Sequence, residues 1–293
     1  MKKIIVLTFI LLAIISCNSE NNHKIEKKSV SNIMVDEIGN EVEIPEKGSK
    51  TISLAPNLTE IIFFLDLQNQ LIGNTLYCNY PSQAEKIAKV GDLLTLDYEK
   101  IVELKPDIIL MTIEGNQKNH YLKLKDLGFD IYVTNPRDFN GIFKSIIAIG
   151  KLFGKEKLAR GKVDSLNSIV QNVSKIKNNG KKAVFLISVR PFIAASKNTF
   201  INEYLLKTGL ENGVVSDKIN YPVLNPEELI RIKPQIIILP KSMKNEFEAI
   251  LNENVLLKNE LKTTEIISID ENIYFKPGPR FVEALLDFSR KIK

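Results

Sequence analysis

The stretch LDYEKIVELKPDIIL, Leu96 to Leu110, decides the fold because it returns as LNPEELIRIKPQIII, Leu224 to Ile238. Apolar and polar positions match almost throughout, which marks an internal structural repeat. The same physics runs in each copy. Asp97 or Asn225 is an N-cap, and Pro226 suits the first helical position of the second copy. A short helix follows, over Tyr98–Leu104 or Glu227–Ile232. Lys-Pro stops it, because the residue before proline is pushed out of helical conformation. A buried strand then begins, Asp107 to Met111 or Gln235 to Leu239.

Working outward, similar apolar runs predict strands at Thr51–Ala55, Leu71–Asn74, Ile131–Thr134, Ala183–Val189 and Glu265–Ile269. Several are continuous Ile/Leu/Val runs, as expected of strands covered on both faces. Helical spacing falls between them, at Leu58–Leu65, Gln117–Leu127, Phe139–Leu152, Phe200–Leu206 and Arg280–Lys291. Alternating strands and helices predict α/β layers with mostly parallel sheets. Only Asn140 to Lys177 breaks the rhythm, with no strand and no proline. Leu158, Val163, Leu166, Ile169, Val170, Val173 and Ile176 recur there at helical spacing, predicting a long helix over about Lys155–Lys177. The expected architecture is two similar lobes joined by that helix, with a ligand cleft between them. The N-terminal lobe would take residues 34–153, the linker helix 154–179 and the C-terminal lobe 180–293.

The first residues read differently. Met1-Lys2-Lys3 is a basic start, and Ile4 to Ile15 is an almost unbroken apolar run. At about 1.5 Å per residue it is too short to span a bilayer of roughly 30 Å, so residues 1–16 read as a signal peptide. Ile14-Ile15-Ser16-Cys17 resembles a bacterial lipobox, which implies cleavage before Cys17 and acylation of its thiol. Residues 17–33 then form a polar, core-free tether to the membrane.

Composition narrows the chemistry. The 293 residues hold two His, two Cys and no Trp. A His-built metal site needs several imidazoles. His120 sits in a lysine-rich helical segment and reads as a surface histidine. With Cys17 in the leader, Cys78 has no partner and reads as a small buried side chain. Lys+Arg number 40 against 35 Asp+Glu; Lys2 and Lys3 belong to the leader, so the remainder carries only +3. Its charges are scattered, which argues against a nucleic-acid partner. No nucleophile–base pair, phosphate-binding glycine loop or metal-ligand cluster supports an enzyme.

Ligands of parallel sheets meet the loops that leave the carboxyl ends of strands. The first such loop is Ala55-Pro56-Asn57, where Asn57 can cap the next helix with Glu60 as its capping-box partner. The second, Thr75 to Pro81, holds Tyr77 and Tyr80, which either pack beneath the loop or stack on a flat ligand. Arg190-Pro191-Phe192 offers a cation and a ring at the equivalent place in the second lobe. Pro277-Gly278-Pro279-Arg280 opens the final helix, with Arg280 as a fork for carboxylate, phosphate or amide oxygen. Glu99 and Glu227 occupy matching first-turn positions in the repeat. The helix dipole accounts for them at about 0.3–1 kcal/mol each. Alternatively, they form two acidic knobs for a symmetric basic partner.

Four motifs carry a family resemblance: Ser53 to Glu60, Tyr77-Cys78-Asn79-Tyr80-Pro81, Tyr98 to Asp107, and Pro277-Gly278-Pro279-Arg280. Over about Met34 to Ile292 the chain resembles the substrate-binding proteins of bacterial ABC importers for cobalamin, haem and iron-siderophores. The second and fourth motifs are most similar to the cobalamin branch. The resemblance implies a monomeric, non-enzymatic, extracytoplasmic lipoprotein with no cofactor of its own, which delivers cobalamin to a permease dimer. It implies ligand contacts by Tyr77 and Phe192, with Arg280 holding the lower part of the ligand. It also implies docking of Glu99 and Glu227 to permease arginines. Tryptophans that grip cobalamin in relatives are replaced here near Leu93 and Thr112. Haem or a ferric siderophore is the alternative cargo, and a membrane-tethered hydrolase or metal enzyme the alternative class.

Overall fold

A computed structural model describes residues 33–46, 48–174 and 180–292. The leader, Cys17 and nearly all of the tether lie outside the described residues. Ile33, expected to end the tether, instead opens a hairpin of β1 (Ile33–Val35) and β2 (Glu41–Glu43).

The elements of the first lobe follow in order. They are β3 (Thr51–Ser53), α1 (Pro56–Phe64), β4 (Leu71–Asn74), β5 (Ala88–Lys89), α2 (Tyr98–Leu104) and β6 (Ile108–Thr112), then α3 (Lys118–Asp126), β7 (Ile131–Thr134) and α4 (Phe139–Leu152). The sheet order is β5-β4-β3-β6-β7, every pair parallel, with Ile52 beside Ile109 and Ile109 beside Ile131. All five β6 residues are buried, which is why that strand reads as an uninterrupted apolar run.

The long helix is α5, Glu156–Val173. Its predicted end at Lys177 lies outside the described residues. The second lobe comprises β8 (Lys182–Val189), β9 (Phe192–Ala194), α6 (Phe200–Lys207), β10 (Glu211–Asn212), β11 (Val223–Leu224) and α7 (Pro226–Ile232). After these come β12 (Ile236–Pro240), α8 (Lys244–Glu253), α9 (Val255–Glu260), β13 (Glu265–Ile269), α10 (Glu271–Tyr274) and α11 (Phe281–Lys291). Strands β10, β8, β12 and β13 run parallel, while β9 and β11 add an antiparallel flank. The second sheet is therefore mixed.

Both repeat copies fold alike. The Asp97 side chain accepts from the Lys100 amide at the start of α2. A complete capping box of Asn225 and Glu228 opens α7. Lys105 and Lys233 end the two helices in the left-handed conformation, at φ 49° and 51°. The first lobe's other expected box is absent. Ala55 is the N-cap of α1 and Pro56 its first residue, so Asn57 already lies inside the helix.

One apolar core runs through both lobes. It joins Leu58 and Ile61 of α1 to Ile142 and Ile146 of α4, Val163 and Leu166 of α5, and Leu285 and Phe288 of α11. Aromatic rings lock it. Phe139 meets Phe281 at 4.4 Å and Tyr204 at 5.3 Å, and Tyr204 meets Tyr274 at 5.2 Å. Two smaller cores fill the outer faces of the sheets.

Candidate ligand-binding cleft

The segments leaving the carboxyl ends of β3, β4, β6 and β13, with Ile187 near the end of β8, line a cavity of about 530 Å³. The first lobe contributes Pro56, Asn57, Tyr77, Leu93, Thr112 and Glu114. From the second come Ile187, Phe200, Tyr221, Glu271, Phe275 and Lys276. The volume suits a small-molecule site, and rings with a few polar groups form its walls. A broader groove along Gly154 to Ser165 on α5 is an open furrow on the helix surface, away from the strand ends.

Three contacts cross between lobes around this cavity. The Tyr221 hydroxyl donates to Glu114 Oε2 at 3.2 Å. Asn57 Nδ2 donates to the Pro277 carbonyl at 3.4 Å, and Lys276 Nζ to Asn79 Oδ1 at 3.3 Å. Glu114 keeps contact with solvent, yet the surrounding walls raise its pKa, against the lowering effects of the Tyr221 bond and Arg137. Burial lowers that of Lys276. Thr112 Oγ1 is buried with no hydrogen-bond partner.

The sequence-predicted residues divide. Pro56, Asn57 and Tyr77 line the cavity, and Tyr77 is 55% exposed. Tyr80 and Arg280 line a separate hollow of about 290 Å³ beside α1 and α11. There Arg280 forks onto both Glu60 oxygens, at 3.2 and 3.1 Å, and lies 3.7 Å above the Tyr80 ring. Glu60 is thus the partner of Arg280 and not of a cap. Burial still outweighs Arg280 and raises the Glu60 pKa.

Phe192 is buried against Phe247, and Arg190 pairs with Glu246 and Glu253 at 3.3 and 2.9 Å. All three of those partners belong to α8, a helix the sequence reading lacked. With no helix to receive them, a ring and a cation at a strand end looked free for a ligand. The spacing of Phe247, Ile250 and Leu251 was the available signal for α8.

His120 is buried, not superficial. It bonds the Tyr98 hydroxyl at 2.6 Å and the Leu94 carbonyl at 3.0 Å. Cys78 is a buried free thiol, 3.2 Å from both the Thr59 and Thr75 hydroxyls. Glu99 and Glu227 are exposed, and no ion pair engages either among the described residues. Sequence reasoning missed Glu114, Phe200, Tyr221, Glu271 and Lys276. Lys276 directly precedes the Pro277-Gly278-Pro279-Arg280 motif, but Tyr221 is brought to the cleft only by the antiparallel flank that it precedes.

No His/Cys/Asp/Glu cluster able to hold a metal exists among the described residues, and none of their helices is long and apolar enough to cross a membrane. A lobe-bridging cavity on a two-sheet α/β frame defines a class of extracytoplasmic binding protein. The chain belongs to the periplasmic binding protein family, whose pattern matches residues 52–265. That family supplies non-enzymatic transport components without cofactors, which removes the hydrolase and metal-enzyme alternatives.

Similarity extends across most of the chain. An uncharacterized ABC transporter substrate-binding lipoprotein, YvrC, of Bacillus subtilis is 28% identical over 91% of this chain and 87% of its own. A vitamin B12-binding protein of Vibrio cholerae is 27% identical over 66% and 71%. A solved structure, described as a possible iron-binding periplasmic solute-binding protein from Staphylococcus epidermidis, is 26% identical. It superposes with a TM-score of 0.73 over 84% of this chain and 99% of that one.

Proposed function

We propose that this protein captures cobalamin in the interlobe cavity and presents it to an ABC permease. The observation carrying the reading is the cavity itself. Tyr77, Tyr221 and Phe275 offer ring surface, and a few polar groups among them fix orientation. The vitamin B12-binding relative supports the choice of cargo. A form beginning at residue 18, titrated with cyanocobalamin, should bind saturably at about micromolar Kd or tighter. Absence of saturable binding by calorimetry defeats the assignment.

Haem or a ferric chelate is the second reading, favoured by the exposed Tyr77 phenol, an oxygen donor at the cavity wall. Titration with haemin should then produce a Soret shift that Tyr77→Phe abolishes.

Delivery would use Glu99 and Glu227. The caps of α2 and α7 are made by Asp97, Asn225 and Glu228, so these two carboxylates are spare. Replacing both by Ala should stop transport while leaving ligand affinity unchanged. Loss of affinity would place them in the cleft's service instead. Acylation at Cys17 would hold the protein at the membrane, a role supported by the lipoprotein relative. Cys17→Ala should move the protein from the membrane fraction to the soluble fraction.

The domain plan follows the same reading. A lobe over residues 34–153, a linker over 154–179 and a lobe over 180–293 place the cleft on one side of the helix.

A further inference from the structure

Among the described residues lining the cavity, Lys276 is the one cation. Its setting differs from that of Arg280, four residues on. Arg280 is neutralised by Glu60 in a bidentate contact and adds a bond to the Asn272 carbonyl. Lys276 has no carboxylate within 4.0 Å among the described residues. Its one side-chain bond runs to the neutral Asn79 amide, at a long 3.3 Å. Glu60, the charge that favours it most, is already spent on Arg280, whose own charge opposes it. Two cations thus share one carboxylate beside the cavity.

A half-buried ammonium held by one weak bond is a costly arrangement unless something else completes its coordination. The backbone fixes it there. Pro277 follows directly, and the Gly278 amide donates to the Lys276 carbonyl at 2.8 Å. Gly278 then passes so close to α1 that an added Cβ would lie 3.2 Å from Asn57 Cα. The lysine therefore stands on a clamped turn at the lobe junction, with its head group towards the β4 loop that carries Tyr77.

We infer that Lys276 is the anion-recognising residue of the cleft, pairing with a carboxylate or phosphate carried by the ligand. This rests on the receptor role proposed above and adds a requirement on cargo chemistry. A charge-assisted bond would replace the long Asn79 contact and supply the missing counter-charge. Glu114 and Glu271 line the same cavity and repel an anion, so the ligand's negative group is directed to Lys276.

The test uses paired ligands in which one member carries an anionic group and the other lacks it. Cyanocobalamin carries a phosphodiester and dicyanocobinamide does not; haemin carries propionates and its dimethyl ester does not. Lys276→Met should weaken binding of the anionic member of whichever pair binds by about tenfold. It should barely change binding of the member lacking the anionic group, and it should flatten the salt dependence. Lys276→Arg should restore the preference, with unfolding midpoints unchanged throughout. Equal weakening of both members, or of neither, overturns the inference while the receptor role stands. A wild-type protein that binds no member of either pair overturns the cobalamin and haem readings and this inference with them.

Discussion

Arg280 and Glu60 show how a residue's partner changes its meaning. Both side chains are largely buried, at 15% and 3% exposure, and the pair ties the start of α11 to α1. Removing one member leaves the other charge uncompensated. Arg280→Met should therefore cost about 3 kcal/mol in urea unfolding. A loss below about 1 kcal/mol would show a solvated pair. Glu37 offers a pH-dependent case. Its carboxylate accepts from the Ser145 hydroxyl and the Asn135 amide, both at 2.6 Å, and so pins the chain beyond β1 to α4 and the end of β7. Burial nonetheless raises its pKa above the ordinary 4.5. A raised carboxylate pKa stabilises the fold below 4.5, and that contribution is lost as pH climbs through the folded value. Glu37→Gln should consequently gain stability relative to wild type as pH rises from about 4 to 7. Parallel pH profiles of the two unfolding free energies would refute this.

Helices α4 and α5 meet through Gly150. A Cβ built there would lie 2.5 Å from Ala159 Cβ and 3.3 Å from the Lys155 carbonyl oxygen. Glycine in a helix normally costs about 1 kcal/mol relative to alanine. Here tertiary contact reverses the sign, and Gly150→Ala should destabilise by about 1–3 kcal/mol through overpacking. Gly161 of α5 is the control, exposed and with open space for 4 Å around the position an added Cβ would take. Gly161→Ala should stabilise by roughly 1 kcal/mol. Thermal melts giving both substitutions the same sign would show that helix propensity governs both sites.

Across the whole molecule, the lobes share a core yet touch lightly at the cleft. Phe139, Tyr204, Tyr274 and Phe281 interlock on the core side. Tyr221 and Glu114 meet by one hydrogen bond over the cavity. Closure should therefore be modest, since moving the lobes far apart would split an aromatic core. Tyr221→Phe removes the bond without touching that core. It should raise the ligand association rate in stopped-flow measurements and leave the unfolding midpoint unchanged. An unchanged rate would show that the contact does not limit entry. A corrinoid with its nucleotide loop is bulkier than haem, so its entry should be the more sensitive to this substitution.

Residue order alone determined the local elements and their repetition. Hydrophobic runs, caps and Lys-Pro stops are short-range features, so Leu96–Leu110 and Leu224–Ile238 were readable without any fold. Pro56, Asn57 and Tyr77 were readable for the same reason, as loops leaving strand ends. Only the tertiary structure decided which polar side chains meet. Glu60 finds Arg280 across 220 positions, Tyr221 finds Glu114 across 107, and Arg190 finds Glu253 across 63. Such pairs carry no periodic signal, because a charge or hydroxyl at a loop looks the same whether its partner is solvent, ligand or a distant helix. The cleft's available cation passed in this way from Arg280 to Lys276, once burial had shown which charge was already spent.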